Sequence, residues 1–517
     1  MRSKKAFINA IYGMAGYIIL MLSNLITRSV LVKALGYDLA GLDTVFKNFL
    51  SFLSLAELGI GTGLIYKLYT PILQDDKKQI KRILNFYKNA YIIISLVFLL
   101  GSVIVACFTK TVIKENYSAL YLGVLFMLYA GDTVASYLYA NRKALIIADQ
   151  RNYLVSRNDA FISIFSFILQ VSFLFLIKGN PFLSFIIYAA IKIICRLSGA
   201  VFIGYKFKKL YPEIYNDKSK EVISGEEREG LLKNIGALLM HRVGAVSVTA
   251  TGSAFVSALI DLKTAGIYGN YILIITTLNM MLAQIYNGIV ASFGQFSNSE
   301  SKEKVYEKFK VLYFANFLLM AFFCTAYATV IQPFISVWIG KDGKFPITTI
   351  FLLTIYLFVS GIRRGILMAK DAAGLYRPDR YLALLEAGIN IVLSFIFIKL
   401  WGVNGLILAN TASMLIVPLW SQPYLVYKYV VENLKGLKFY YLKYIIYFAI
   451  TLAEVYLTYK ISLCIPIADA DAYLQIIINA FLALIIPNVI NFVLFFRTSE
   501  MKELFKMAKS ILKSSEE

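Results

Sequence analysis

The residues of this chain that could do chemistry are cations set in oil. Arg28, Lys192, Arg196 and Arg242 all fall within long apolar stretches, and the chain's single histidine, His241, stands next to Arg242. The stretch from Leu231 to Leu259 is long enough to cross a bilayer, since a spanning helix needs about 20 residues. His241 and Arg242 lie about ten residues into it, roughly 15 Å from its start and near the midplane. An arginine facing lipid at that depth costs at least about 2.5–3.5 kcal/mol, so each of these cations must face a partner or a watery hollow. Lys192 and Arg196 are spaced i, i+4 and share a helix face, where like charges repel unless an anion joins them. Glu57 and Asp132 are the acids in apolar segments that could serve as partners. If the cations only pair with such acids, they fix helix packing. If they line a cavity, they fit an anion, and phosphate first, because a guanidinium matches two phosphate oxygens at once. His241 could carry a proton near neutral pH or simply hydrogen-bond within the bundle.

The elements that place these residues are membrane spans. Hydrophobic residues make up 59% of the 517 residues and charged residues 16%, against about 25% charged in soluble domains. Fourteen apolar segments can be marked, at about 9–33, 41–66, 88–109, 117–141, 158–177, 182–205, 231–259, 264–293, 309–335, 345–369, 380–400, 402–427, 439–463 and 472–496. The N-terminus runs from MRSKK into apolar sequence without a small-residue cleavage site, so it reads as a retained first helix. Of the 52 Lys and Arg residues, 38 fall on the N-terminus, the tail and alternate loops, and only 9 on the intervening loops. That asymmetry puts both termini in the cytoplasm and explains the net charge of +21 without nucleic acid. Within those cytoplasmic loops, Arg151, Arg157, Arg377 and Arg380 could meet an anionic group at the inner mouth or act only as topogenic charge. The tail from Arg497 sets Met501, Leu504, Phe505, Ala508, Ile511 and Leu512 on one helical face, as an interfacial helix on anionic lipids would.

A weak internal repeat follows the first and seventh segments. Gly41-Leu42 precedes Gly63-Leu64 by 22 residues, and Gly266-Ile267 precedes Gly288-Ile289 by the same interval. Odd and even segments match, so the repeat is parallel, and such proteins bind substrate between lobes that rock in alternation. The expected fold is an all-α polytopic membrane protein of about 14 transmembrane helices. Two six-helix lobes, 1–205 and 231–430, would be related by a pseudo-twofold along the membrane normal and joined by a cytoplasmic loop at 206–230. A helix pair at 431–496 and the tail at 497–517 complete it. Cys107, Cys195, Cys324 and Cys464 stand singly and suggest no disulfide or metal framework. No phosphate loop, serine elbow or histidine-rich metal motif is present, so neither an enzyme nor a cofactor is expected.

Three blocks carry a family resemblance. They are LGYDLAGLDTVFKNFLSFLSLAELGIGTGLIYKLYTPI from Leu35 to Ile72, the stretch Leu239 to Phe296 with MHRVGAVSV and AGIYGNYILII, and DAAGLYRPDRYLALLEAGINIVLSFIFIKLWGVNGLI from Asp371 to Ile407, continuing to PYLVYKY at Pro423 to Tyr429. They resemble the oligosaccharide flippases of bacterial polysaccharide and teichoic-acid pathways, within the multidrug/oligosaccharidyl-lipid/polysaccharide exporter superfamily. The resemblance implies flipping of an undecaprenyl-diphosphate-linked glycan from the inner to the outer leaflet of the bacterial cytoplasmic membrane. It implies a cationic cavity of Arg28, Lys192, Arg196, His241 and Arg242, and a polymerase or glycosyltransferase of the same pathway as a possible partner. Where the family pattern places an Asp-Asn pair after the His-basic motif, this chain has Gly252-Ser253, which puts family-type ion coupling in doubt. A cation-coupled multidrug exporter of the same superfamily is the alternative, and it predicts deep acids in excess of deep cations.

Overall fold

Backbone N–H and C=O groups find no water inside a bilayer, so a spanning chain must close its hydrogen bonds within each segment. The structure, a computed structural model, describes residues 2–514 except 55–56, 58–59, 114, 178, 218–251, 376–377, 379 and 466–470. The described residues are helical throughout, with no strand, and 11 helices are long and apolar enough to span a membrane. Two of those, Ile19–Leu53 and Tyr381–Tyr429, each hold two of the expected segments. Segment seven lies largely outside the described residues, and only 252–259 of it is seen, as helix. The protein is therefore an all-α polytopic membrane protein.

The described chain forms two compact units, Met1–Gly269 and Asn270–Glu517. The first contains α1 (Arg2–Leu53), α2 (Ile60–Leu73), α3 (Lys77–Val112), α4 (Ala119–Tyr137), α5 (Ala140–Ala148), α6 (Asn152–Leu176), α7 (Pro181–Leu210) and α8 (Pro212–Asn216). Helix α9 (Leu262–Ser299) begins in it, with the Asp261 carboxylate capping Thr264 N at 2.6 Å and Glu115 accepting from Leu262 N at 2.7 Å. The second unit holds α10 (Lys302–Trp338), α11 (Ile347–Ile362), α12 (Arg364–Ala372), α13 (Arg380–Ile416), α14 (Pro418–Tyr429), α15 (Leu437–Cys464), α16 (Ala472–Phe495) and α17 (Ser499–Ser514). Helix α7 continues five residues past the expected end of segment six, so the loop expected from 206 starts later.

Two breaks set the topology. Gly36 interrupts α1 at φ 82°, ψ 175°, and Gly402 interrupts α13 at φ 57°, ψ −135°. Side chains with a Cβ rarely adopt such backbone angles, so glycine is the natural hinge at each. In a continuous helix Arg28 and Asp43, 15 positions apart, would stand about 22 Å from each other. They are 3.3 Å apart, so the chain doubles back at Gly36.

Lipid-side and core faces separate as a bilayer demands. On α3, Ile93, Val97, Leu100, Ile104 and Phe108 are exposed, while Ile80, Leu84, Tyr87, Tyr91 and Phe98 are buried. The core of the first unit gathers Leu31, Leu42, Val45, Phe46, Phe126 and Phe185, with Phe46 edge-on to Phe126 at 5.3 Å. Lipid gives no hydrophobic drive between helices, so close backbone contact and polar side chains hold them together. Gly41 and Gly266, the paired glycines of the sequence repeat, meet each other: a Cβ on Gly266 would lie 3.0 Å from Gly41 N and would collide with the Tyr37 carbonyl. In the second unit, Pro333 removes the donor that would satisfy the Thr329 carbonyl, and Asn479 of α16 donates to it instead at 2.8 Å. Asn316 of α10 likewise donates to Ile362 O at 2.8 Å, at the junction of α11 and α12.

The tail forms α17 as expected from its spacing. Met501 is buried, Phe505 is exposed with its ring 6.4 Å from Phe492, and Glu500 pairs with Lys443 of α15. The side chains of Ala508, Ile511 and Leu512 lie outside the described residues. Burial pushes the Glu500 carboxyl up, but the Lys443 ammonium outweighs it and holds the group below the ordinary carboxylate range.

Two outcomes follow from these contacts. Gly266→Val should remove most of the folded, monodisperse protein after detergent extraction, because overpacking at a backbone contact costs about 1–3 kcal/mol or more. Because the Glu500 pKa is lowered on folding, its contribution is present above the unfolded carboxylate pKa and is lost as pH falls through the folded value. Acidification should therefore raise amide hydrogen exchange in α17, and Glu500→Gln should raise it already at neutral pH.

Candidate functional site

The Gly36 reversal brings α1 against itself, and a carboxylate that sequence reasoning missed occupies the junction. Asp43 is buried, with side-chain exposure of 2%. Its Oδ2 takes the Lys47 ammonium, one turn on, at 2.7 Å and the Arg28 guanidinium at 3.3 Å. Its Oδ1 accepts from the Tyr129 hydroxyl of α4 at 2.6 Å and lies 3.7 Å from the Lys192 ammonium of α7. One carboxylate thus faces three cations. Lys47, near a segment end, sets its ammonium on Asp43 while half of its side chain stays exposed.

The three cations are not equivalent. Arg28 is a clamp: it also donates to Ala40 O at 2.7 Å and to Gly266 O at 3.0 Å, tying both arms of α1 to the start of α9. Its exposure is 7%. Lys192 keeps 20% of its side-chain surface open, and its ammonium lies 4.9 Å and 5.0 Å from the ring centres of Tyr129 and Tyr188. Rings at that range attract a cation without neutralising its charge.

One turn along α7, Arg196 meets Asp132 of α4 with two roughly parallel bonds, Nε to Oδ1 at 2.9 Å and Nη2 to Oδ2 at 3.3 Å. This is a one-to-one pair, still 31% and 21% exposed. The repulsion expected between Lys192 and Arg196 is relieved by two separate carboxylates, Asp43 and Asp132. Glu57 interacts with Tyr137 and Lys143. Arg151 pairs with Asp149 at 2.7 Å, and the Arg157 guanidinium lies over the Phe202 ring at 5.7 Å. His241, Arg242 and Arg377 lie outside the described residues, as does the side chain of Arg380. The Gly252-Ser253 departure is visible in part: Asn48 of α1 donates to the Ser253 hydroxyl at 2.7 Å. The second unit carries a related pattern, with Arg363 bound to Gln422 at 2.7 Å and to Glu386 at 3.3 Å.

Asp43 had a signal in the sequence. It stands four residues before Lys47 and seven after Gly36, while Arg28 stands eight before it, so a reversal at Gly36 brings the two together. It lies only two residues inside the expected start of segment two, where a charge is unremarkable.

No family model and no curated protein matches this chain. Solved structures do match by fold. The lipid II flippase MurJ in an inward closed conformation aligns over 94% of this chain and 99% of its own, with TM-score 0.63 and 16% identity. An inward-facing multidrug resistance MATE family transporter of the MOP superfamily aligns over 83% of this chain and 99% of its own, with TM-score 0.59 and 13% identity. An outward-facing MATE transporter of the same superfamily gives TM-score 0.58. The chain has the fold seen in these transporters and in that flippase.

Removing the shared carboxylate should be worse than removing a cation. Asp43→Asn leaves buried cations uncompensated, and breaking such a set costs about 3–5 kcal/mol. Its melting temperature in detergent should drop sharply, and Asp43→Asn with Lys192→Met should recover part of the loss. If the double variant melts no higher than the single one, the charge account of this cluster fails.

Proposed function

We propose that the chain is a flippase that carries an undecaprenyl-diphosphate-linked oligosaccharide from the inner to the outer leaflet by alternating access, with both termini in the cytoplasm. The observation that carries this reading is the α7 face bearing Lys192 and Arg196. Lys192 lies about 17 Å along the helix, near mid-depth, yet both side chains keep open surface. Charges held at that depth face a partner, water or a ligand, because lipid would make each too costly, and the surface left open beside Asp43 and Asp132 is where a ligand anion would reach them.

A diphosphate fits the two positions differently. Lys192 already shares Asp43 with two other cations, so an incoming phosphate oxygen meets uncompensated charge there. Arg196 offers a planar fork that an anion can take over from Asp132. Arg242 of segment seven and His241 beside it join this set in the proposal, and Arg28 serves it as the clamp that fixes Asp43. Arg151, Arg157, Arg377 and Arg380 stand as possible first contacts at the inner mouth. Glycan chemistry would then be left to polar side chains and water, while the prenyl tail stays in lipid.

The multidrug exporter reading is favoured by the MATE likeness, which has nearly the same TM-score as the flippase. Against it, three cations face the one buried carboxylate of Asp43, whereas the buried Glu386 and Glu454 of the second unit weigh for it.

Export in a cell carrying variants at native levels separates these readings. Lys192→Ala, Arg196→Ala and Arg242→Ala should each abolish polymer export with protein abundance unchanged, and Arg196→Lys should restore only part of it. Deleting the gene should leave a lipid-linked glycan stranded on the cytoplasmic leaflet. Normal export in all three alanine variants, or drug sensitivity without a stranded glycan, would reject the flippase reading.

A further inference from the structure

The second unit buries an acid that the cationic site does not use. Glu454 on α15 has no exposed surface, and it lies ten residues before the helix end at Cys464, about 15 Å deep. Neither of its carboxylate oxygens has a hydrogen-bond partner among the described residues, and the Thr451 and Thr458 hydroxyls on the same face have none either. Buried polar groups are nearly always paired, so an acid with both oxygens idle needs an explanation. An ionised carboxylate in this place would carry a desolvation cost that no neighbour offsets. A neutral carboxylic acid would carry a much smaller one.

The acid also stands in a line. Tyr440, Tyr444, Tyr447, Thr451, Glu454, Thr458 and Ser462 recur every three or four residues, so they share one stripe of α15. All but Ser462 are buried. At Ser462 the stripe reaches Asn479 of α16, which in turn holds the Thr329 carbonyl that Pro333 leaves open. Hydroxyls one turn apart on both sides of a mid-depth carboxyl are the parts of a proton path.

We infer that Glu454 is a proton-exchange site of the second unit, reached along the hydroxyl stripe of α15. The groups facing this stripe from other elements are few. Helix α10 brings Cys324 to Glu454 and Tyr313 to Tyr440 and Tyr447. Helix α14 brings Tyr427 to Tyr440, α16 has no charged residue, and Arg363 and Glu500 act on the Tyr440 and Tyr447 end. Among the described residues no cation stands at Glu454 to fix it as an ion pair, and the proton is the neutralising partner in this inference. The step is a simple one: the carboxylate takes a proton on one oxygen from hydronium in water entering along the stripe and returns it to water, which the otherwise unbonded hydroxyls would hold in line. In the transport reading, on which this coupling role rests, protonation would bias the packing of α10, α15 and α16 and supply a drive for the cycle.

Infrared difference spectroscopy of the full chain in lipid nanodiscs reads the proton directly and needs no substrate. The wild type should show a protonated-carboxyl stretch that disappears reversibly as pH rises, and Glu454→Gln, a neutral mimic expected to fold, should lack it. Absence of that band, its persistence over the whole pH range in which the protein stays folded, or its displacement by sodium alone would overturn the proposal. In proteoliposomes, Glu454→Gln should still move lipid-linked glycan down its gradient but lose all dependence on a proton gradient. If the wild type moves no glycan, the flippase reading fails while the infrared titration still decides the site. Unchanged proton-gradient dependence in Glu454→Gln would refute the coupling role.

Discussion

The arrangement of the first unit depends on one carboxylate. Asp43 holds Arg28, Lys47, Lys192 and Tyr129 within ion-pair or hydrogen-bond reach, and through them it joins both arms of α1 to α4 and α7. In a bilayer such a junction is stronger glue than apolar packing, because helices gain little by exchanging lipid contacts for each other. Opposed signs alone do not explain it, since three cations around one acid repel one another. Arg28 is stabilised by two carbonyls as well as by Asp43, and Lys192 by two aromatic faces. The cluster is therefore settled as a scaffold, and the anion is what the proposed function adds to it.

This division of labour separates residues that look alike in the sequence. Arg28 is spent on backbone carbonyls and positions the site. Lys192 and Arg196 retain open surface and are the cations that the proposed function gives to the ligand. The Arg196–Asp132 pair is replaceable in kind, because a phosphate presents the same two-oxygen edge that the carboxylate does. An exchange of partners of that sort gives a transporter two charge-balanced states, one closed on its own acid and one closed on its cargo. Glu454 offers the second unit a parallel device, in which the exchanged species is a proton.

Much of the fold was legible because the bilayer imposes simple rules. Apolar length marked the spans, and the helical periodicity of the tail marked α17. Of the site, the cations were legible because charge is conspicuous in apolar sequence. The partners are less so: Asp132 is conspicuous as an acid deep in segment four, whereas Asp43 sits at the start of segment two and Glu454 stands alone within segment thirteen. The breaks at Gly36 and Gly402 were legible as gaps between apolar segments, but the contact of Asp43 with Arg28 across the first of them is a tertiary event that hydropathy does not report. The Gly41 and Gly266 contact shows the opposite case, a weak repeat in sequence that corresponds to a real meeting of backbones.

The claim at the centre of this account is that the α7 cations take a diphosphate. It is tested most directly by native mass spectrometry of the purified protein with polyprenyl diphosphate, polyprenyl monophosphate and the free polyprenol. The account predicts retention of the diphosphate above the other two, lost in Lys192→Ala and weakened in Arg196→Lys. Equal retention of all three lipids, or diphosphate binding that survives both substitutions unchanged, would contradict it.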